Sequence, residues 1–166
     1  MATDDHDWQR LFSELGPALI LFARQFVPSH DRAEDAVQDG FARFWKNRRR
    51  VDDARAYLFA CVRSAALDGH RRRATRRHHE AEGTAPARDE AMFRCPVEAD
   101  ERRRAVEAAL RRLPDDQRQA IVMKLWGGLS FRQIADVAQI KPDTAASRYR
   151  YGLEKLRQML SPELIA

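Results

Sequence analysis

Apolar residues recur at helical spacing in every part of this sequence that shows a period. No stretch shows the alternation of polar and apolar residues that is typical of a half-buried β-strand. Pro114 and the pair Gly127 and Gly128 separate periodic stretches and mark expected helix ends. The sequence therefore predicts an all-α chain, and its 166 residues are enough for two small helical domains.

Composition divides the chain into three segments. Residues 74–97 are rich in Ala, Glu and Arg and show no sustained apolar period, so we predict a flexible linker there. The linker separates a first domain at residues 1–73 from a second at residues 98–166. Cys95 falls in the linker, where it is a candidate redox handle, whereas Cys61 is expected in the core. Two cysteines so far apart indicate neither a disulfide framework nor a zinc site.

The first domain is predicted to begin with two amphipathic helices. An apolar stripe from Trp8 to Phe26 marks the first helix, in which the Gly-Pro pair at residues 16–17 is expected to cause a kink or a break. A second stripe, from Ala33 to Trp45, leaves acidic and amide side chains on the opposite face. Asp31 together with Glu34 is expected to cap the start of this second helix.

A third helix is predicted over about residues 54–73, with Asp53 as its N-terminal cap. Its buried side is expected to consist of Leu58, Cys61, Val62 and Ala65. In the second domain, an apolar pattern from Val106 to Leu113 marks a helix that ends at Pro114. Ile121, Val122 and Leu125 mark the next helix.

The last two predicted helices are separated by a short turn. Ser130 and Gln133 form a capping-box pattern before the first of them, and Pro142 suits the first turn of the second. The core face of the second is predicted to consist of Ala145, Tyr149, Leu153, Leu156 and Leu160, while Asp143, Thr144, Ser147, Arg148 and Tyr151 lie on other faces. This is the geometry of a helix-turn-helix, whose second helix enters the DNA major groove. An ordinary helical hairpin is the alternative interpretation.

Charge is distributed unevenly along the chain. The 30 Lys and Arg residues exceed the 25 Asp and Glu residues, which gives a net charge of +5. Residues 1–40 hold eight acids and three bases, whereas residues 43–77 hold twelve bases and three acids. Such segregation favours a phosphate-binding surface, with a solvated basic face as the alternative.

Three stretches carry a family resemblance. They are AEDAVQDGFARFW at residues 33–45, YLFACVRSAALDGHRRR at residues 57–73, and the stretch from LPDDQRQAIV to GLEKLR at residues 113–157. Their order and separation resemble those of bacterial sigma factors of the extracytoplasmic-function type, in which conserved regions 2 and 4 are joined by a linker. The resemblance implies that the chain binds core RNA polymerase and promoter DNA, opens that DNA, and is controlled by an anti-sigma protein.

The resemblance also assigns site residues. The polar face of the second helix, with Asp35, Gln38 and Asp39, would bind the clamp helices of the polymerase largest subunit. The residues assigned to the minus-10 element are Asn47, Arg48, Arg49, Arg50, Arg55, Arg63, Arg71, Arg72 and Arg73. In the recognition helix, Thr144, Ser147 and Arg148 are candidates for base contacts in the minus-35 element, and Arg150 and Lys155 for phosphate contacts.

The sequence departs from the family pattern in the residues that would read DNA. It has Tyr57 and Ser64 where many members carry Trp and Asn. Lys141 precedes the recognition helix, although its side chain has no oxygen to accept the N-terminal amide bonds. Ala146 stands where a basic residue is common. The promoter sequence of other members is therefore not expected to transfer.

We expect no catalytic activity, cofactor, metal or small-molecule substrate, because the sequence has no Gly-rich phosphate loop, HExxH or GxSxG motif. His70, His78 and His79 lie beside arginines and fit a solvated basic tract better than a metal site. No apolar run approaches the roughly 20 residues of a membrane span, so a cytoplasmic protein without membrane insertion is expected. The alternative function is a helix-turn-helix promoter-binding regulator, which would bind as a symmetric dimer without acting as a polymerase subunit.

Overall fold

The computed structural model describes residues 5–79, 101–160 and 162, whose regular elements are helices joined by short turns, with no β-strand among them. The chain divides into two compact units. The first contains α1 (Asp5–Ala23), α2 (His30–Asn47) and α3 (Ala54–His79), with a 3₁₀ turn at Arg48–Arg50 before α3. The second contains α4 (Glu101–Arg111), α5 (Asp115–Leu125), α6 (Phe131–Ala138) and α7 (Pro142–Met159). The predicted class, all-α with two small helical domains, is confirmed.

The first helix, α1, runs through Gly16 and Pro17 as one element. The sequence had predicted a kink or a break at this pair, and the break is wrong. A proline inside a helix removes one backbone hydrogen bond and costs about 3 kcal/mol. Leu15 and Leu19, on either side of the pair, are buried against the rest of the unit. Because each large apolar side chain contributes roughly 1.5–3 kcal/mol on burial, the shared buried face keeps the helix continuous.

The start of α2 differs from the prediction. Ser29 is the N-cap, and its side-chain oxygen accepts a hydrogen bond from the backbone N–H of Arg32 at 3.3 Å. The predicted cap by Asp31 with Glu34 is therefore wrong. Asp31 lies inside the first turn, where its negative charge favours the positive end of the helix dipole.

Close packing of α2 on α3 defines the core of the first unit. A Cβ atom added at Gly40 would lie 2.6 Å from Cγ2 and 2.8 Å from Cα of Val62, so only glycine permits this approach. Phe22, Phe44 and Phe59 are fully buried beside the crossing. Some aromatic residues of the apolar stripes are less buried than the pattern predicted: Phe12 and Trp45 are 45% and 39% exposed. Their rings pack edge-on against Phe41 and Trp8, respectively.

The predicted N-cap of α3 is confirmed, because the Asp53 carboxylate accepts a hydrogen bond from the N–H of Ala56 at 3.0 Å. The helix extends to His79, six residues beyond the expected end at Arg73. No Gly or Pro follows Arg73 in this stretch, and Thr75 donates its hydroxyl to the carbonyl of Arg71. Residues 74–79 are therefore helical where a flexible linker was expected. Residues 80–97 of the predicted linker, with Cys95, lie outside the described residues, and the domain boundary stays a prediction.

In the second unit, α5, α6 and α7 pack around fully buried Leu110, Ile121 and Ile134. The predicted capping box at α6 is confirmed: the N–H of Gln133 donates to Ser130 Oγ at 3.2 Å, and the N–H of Ser130 donates to Gln133 Oε1 at 2.7 Å. The helix ends at Ala138, and the next residue, the C-cap Gln139, has a φ of 55° in the left-handed region. Pro142 occupies the first turn of α7, also as predicted.

Two positions in this unit could not be read from the apolar pattern. Leu125 shares a face of α5 with buried Ile121 and Val122, yet it is 53% exposed at the last position of the helix. Gly152 is buried in α7, where an added Cβ would lie 2.7 Å from Cδ1 of Ile121. Helix α7 therefore packs closely on α5 at a glycine that no local pattern identifies.

Candidate nucleic-acid interface

The polar face of α2 presents an acidic surface. Asp35, Gln38 and Asp39, assigned by resemblance to polymerase binding, are all exposed. Ala36 and Val37, between them in sequence, are buried against the core. The alternation follows from helical geometry, because residues three and four apart share a face. The face is thus fixed in direction by the same packing that holds α2 to α3.

A cleft of about 190 Å³ lies between α2 and α3 on this side of the first unit. Its floor is made of small residues, and its polar walls are formed by Arg32, Asp35, Asp39, Arg72, Arg73 and Arg76. The fold therefore brings two carboxylates assigned to polymerase binding beside two arginines assigned to DNA. The sequence prediction missed Arg32 and Arg76. Arg76 follows Arg72 by four residues, so helical spacing identifies it, whereas Arg32 joins the cleft only through tertiary packing.

The four predicted DNA-binding residues before α3 have different surroundings. Arg49 and Arg50, in the 3₁₀ turn, are exposed. Arg48 instead places its guanidinium 3.6 Å from the centroid of the Trp45 ring and donates a hydrogen bond to the Trp45 carbonyl. The amide of Asn47 donates to the carbonyl of Arg43 at 3.3 Å. Two of the four side chains are thus held locally, and two extend toward solvent.

Further along, Arg55 and Arg63 are partly built into the first unit. Arg55 pairs with Glu14 at 3.0 Å, which ties the start of α3 to α1. Arg63 is half-buried, and its buried Nε has no hydrogen-bond partner among the residues that the structure describes. Arg71 and Arg72 are exposed, and Arg73 is half-buried. The structure therefore separates the predicted basic set into exposed and partly buried members.

Arg43, which the sequence prediction left outside the DNA-binding set, connects α2 to the middle of α3. It donates to Ser64 Oγ at 2.9 Å and pairs with Asp68 at 2.8 Å. Burial raises the pKa of the Cys61 thiol, although Tyr57 and Arg43 act in the opposite direction. Cys61 therefore stays a neutral core thiol at physiological pH.

The predicted contacts of the recognition helix lie on one side of α7. Thr144, Arg150 and Lys155 are exposed, and Ser147 is half-buried, while Ala145 and Leu156 face the core. Arg150 lies over the ring of Tyr151, with 5.5 Å from its guanidinium carbon to the ring centroid. Lys141, at the N-cap, makes no side-chain capping bond, as expected for a residue without an acceptor.

Arg148 differs from the other candidates because it has an ionic partner on another helix. Its Nε lies 3.2 Å from Oδ2 of Asp116, in the first turn of α5. The two side chains are 31% and 48% exposed. The sequence predicted Arg148 as a base contact but did not indicate its pairing with Asp116, which only the fold shows.

The part of the chain that the structure describes offers neither a metal site nor a membrane-spanning helix. Among residues 5–79, 101–160 and 162, no group of three or more His, Cys, Asp or Glu side chains is arranged to hold a metal ion. The helices within those same ranges are all too short or too polar to cross a membrane.

Two family models match the chain, one on each unit. Residues 11–77 match the model described as Sigma-70 region 2, and residues 103–156 match Sigma-70, region 4. These ranges contain nearly all the site residues assigned above. A plain helix-turn-helix regulator does not account for the first match.

Curated relatives extend over most of the chain. The ECF RNA polymerase sigma factor RpoE of Cereibacter sphaeroides is 28% identical over 163 residues, which cover 95% of this chain and 88% of the relative. The RNA polymerase sigma factor CarQ of Myxococcus xanthus is 29% identical, with 92% and 88% covered. The ECF RNA polymerase sigma factor SigK of Mycobacterium tuberculosis is 30% identical over 139 residues, with 77% and 72% covered.

Solved structures share the fold. The sigma factor RpoE in complex with the anti-sigma factor NepR, from Bartonella quintana, gives a TM-score of 0.72 at 23% identity and covers 92% of this chain and 96% of that one. CnrH in complex with the cytosolic domain of CnrY gives a TM-score of 0.61 at 22% identity, with 94% and 88% covered. Family models on both units and relatives along most of the chain lead to one conclusion: this chain belongs to the extracytoplasmic-function family of RNA polymerase sigma factors.

Proposed function

We propose that this sigma factor binds core RNA polymerase as a single copy, directs it to promoter DNA and assists in opening that DNA. The observation that carries the proposal is the presence of both sigma regions in one chain, region 2 on the first unit and region 4 on the second. A regulator that only binds an operator needs the helix-turn-helix alone. In the regulator interpretation the first unit would be a sensor or dimerisation module, which does not account for its match to Sigma-70 region 2.

Polymerase binding is assigned to the acidic face of α2, with Asp35, Gln38 and Asp39. Support comes from their exposure and from the buried residues between them, which fix the direction of the face. An exposed face with two carboxylates suits a basic helical partner, since complementary charge accelerates association and fixes orientation. Arginines of the cleft lie beside these carboxylates. A partner would therefore need basic groups opposite the carboxylates and acidic or polar groups opposite the arginines.

Recognition of the minus-10 element is assigned to the 3₁₀ turn and the basic side of α3. Bases must leave the duplex before side chains can read them, and a basic groove holds the separated strand through its phosphates. The exposed residues Arg49, Arg50, Arg71 and Arg72 suit direct phosphate contact. Arg55 pairs with Glu14, and the Nε atom of Arg63 is buried. These two arginines suit a role in supporting the basic surface rather than in direct phosphate contact.

Recognition of the minus-35 element is assigned to α7. Thr144, Ser147 and Arg148 are the proposed base contacts, and Arg150 and Lys155 the proposed phosphate contacts. A base-edge contact provides about 1–3 kcal/mol of discrimination, whereas a phosphate contact mainly steepens the dependence of binding on salt. The exposure of Thr144, Arg150 and Lys155 supports this assignment.

The proposal includes the setting in which the protein acts. It works in the cytoplasm with the transcription machinery, has no catalytic activity of its own and is held inactive by an anti-sigma protein. Support for the last point is the fold shared with RpoE of Bartonella quintana, which was solved in complex with the anti-sigma factor NepR.

Transcription with purified core polymerase tests the proposal. Start sites should appear on genomic DNA fragments only when the protein is added, and mass measurement of the complex should show one copy for each polymerase. The proposal fails if core polymerase stays silent while the protein alone retards duplex DNA. In that case the regulator interpretation takes its place, and a symmetric dimer on the DNA would support it.

A further inference from the structure

The ion pair between Arg148 and Asp116 joins the recognition helix to a neighbouring helix of the same unit. The Asp116 carboxylate is itself fixed, because Oδ1 accepts a hydrogen bond from the N–H of Gln117 at 2.8 Å. Its other oxygen, Oδ2, lies 3.2 Å from Nε of Arg148. One carboxylate therefore contacts both the start of α5 and the middle of α7.

The atom of Arg148 that Asp116 engages decides what the arginine can still do. A guanidinium has five N–H groups in one plane, and Nε carries one of them. Within the described ranges the structure gives the two terminal nitrogens of Arg148 no hydrogen-bond partner. These two nitrogens form the fork that binds O6 and N7 of guanine in the major groove. The contact at Nε thus restrains the plane and leaves the guanine-binding end available.

We propose that Asp116 is a positioning residue for promoter recognition: it holds Nε of Arg148 so that the terminal nitrogens are oriented toward a guanine in the upstream promoter element. The proposal rests on the proposed function of α7 in reading that element. Restraint lowers the conformational entropy lost when a long side chain orders on DNA, and it fixes the direction of the bidentate contact.

Asp115 provides a matched control. It lies beside Asp116 in the first turn of α5 and has the same charge, but it pairs with Arg118 at 2.6 Å. Asp115→Asn and Asp116→Asn therefore change the net charge and the dipole of α5 in the same way. Only the second removes the restraint on Arg148. Asp116→Glu keeps a carboxylate on a longer side chain and serves as the conservative variant.

The test is transcription by the reconstituted holoenzyme on a promoter library that is randomised across the upstream element. For each variant the sequenced transcripts give the preference for each base at each position. Arg148→Ala identifies the position that Arg148 reads. At that position Asp116→Asn should reduce the preference for guanine about fivefold, Asp115→Asn should leave it unchanged, and Asp116→Glu should restore most of it. In the Arg148→Ala background, Asp116→Asn should have no further effect at that position.

Three results would overturn the proposal. An unchanged preference in Asp116→Asn would show that the ion pair does not orient the reading group. A sharper preference would show that Asp116 holds Arg148 away from the base. If Arg148→Ala changes no base preference, there is no reading group for Asp116 to orient. The last result leaves the sigma-factor function intact as long as wild-type protein still directs start sites, whereas an absence of start sites would count against the proposed function itself.

Discussion

At the scale of single residues, arginines carry most of the proposed DNA contacts, yet the structure gives them different surroundings. Arg55 and Arg148 have carboxylate partners on other helices, and Arg48 lies on the Trp45 ring. Arg49 and Arg50 extend into solvent. A restrained arginine gives up less conformational entropy on binding, whereas an exposed one adapts to a flexible strand. The restrained Arg148 is thus suited to the proposed reading of duplex DNA, and the exposed Arg49 and Arg50 to the proposed contact with a separated strand.

Gly40→Ala tests the close crossing of α2 and α3. The new Cβ would meet Cα and N of Val62 at 2.8 and 2.9 Å, and a backbone atom is not a group that can rotate away. We expect a loss of about 3 kcal/mol in the free energy of unfolding of the first unit, measured by urea denaturation. Gly69→Ala, on α3 with no atom within 4 Å of the new Cβ, is the control and should gain about 0.5–1 kcal/mol. Equal stability of the two variants would mean that the helices are farther apart than described.

The thiol of Cys61 makes stability depend on pH. Burial raises its pKa, so on raising the pH above the ordinary value of 9.0 the unfolded chain loses this proton before the folded chain does. The folded state then binds more protons than the unfolded state, and the free energy of unfolding must fall as pH rises. The pKa of Tyr57 is also raised, chiefly by burial, which extends the fall beyond pH 10.0.

The free energy of unfolding should therefore fall less in Cys61→Ala than in wild type when the pH is raised from below 9.0 to above it. Urea midpoints for both proteins at the two pH values give the comparison. An identical loss in both proteins would show that the thiol contributes nothing to the pH dependence.

At the scale of helices, the N-cap of α3 has a measurable contribution. Asp53→Ala removes the carboxylate that accepts the Ala56 N–H, and we expect a loss of about 1 kcal/mol in the stability of the first unit. Asp52→Ala, one residue earlier and exposed, removes the same charge without removing the cap. Thermal unfolding followed by circular dichroism distinguishes the two. Similar losses in both variants would point to net charge rather than capping.

Prediction from sequence succeeded for helices where the signal is local. The capping box of Ser130 with Gln133 and the cap at Asp53 involve residues only three apart, so the sequence contains both partners. Where two local signals compete, the prediction failed: Ser29 lies just before the predicted pair Asp31 and Glu34, and its hydroxyl accepts the N–H of Arg32. The N-cap is the residue at which the backbone departs from helical dihedral angles. The position of that residue depends on how the preceding chain packs.

Contacts between helices were not predictable in the same way. The sequence singled out Arg148 but not its pairing with Asp116, thirty-two positions earlier, because no spacing rule connects different helices. Arg32 joins Arg72 and Arg76 in the cleft for the same reason. Leu125 shows the opposite error, since a periodic pattern continues to the last residue of a helix whether or not a neighbour covers it. Sequence patterns thus predicted the faces of helices, and packing determined what those faces meet.

At the scale of the whole molecule, assembly with polymerase should depend on the acidic face of α2. Gln38→Ala combined with Asp39→Ala should weaken binding to core polymerase at least tenfold, by roughly 1.4 kcal/mol, because it removes two exposed polar groups from the proposed interface. Circular dichroism and melting should match wild type, since neither side chain is buried.

The matched control for this pair is Gln9→Ala combined with Asp7→Ala, which removes the same two side-chain types from exposed positions of α1. Fluorescence titration of labelled protein with core polymerase gives the affinities. If both pairs weaken binding equally, the effect comes from overall charge, and the assignment of α2 is wrong.

The two units are proposed to act differently, with α7 reading the upstream promoter element and α2 binding core polymerase, and transcription from a doubly randomised library distinguishes these roles. Core polymerase transcribes a library in which the upstream and downstream promoter elements are randomised independently, with wild-type protein, Arg148→Ala or the Gln38 and Asp39 double variant. Wild type should select two separate motifs about two helical turns apart. Arg148→Ala should lose information in the upstream motif alone, and the double variant should lower transcript yield with both motifs intact. These roles are wrong if the added protein produces no transcripts beyond those of core polymerase, or if Arg148→Ala erases both motifs together.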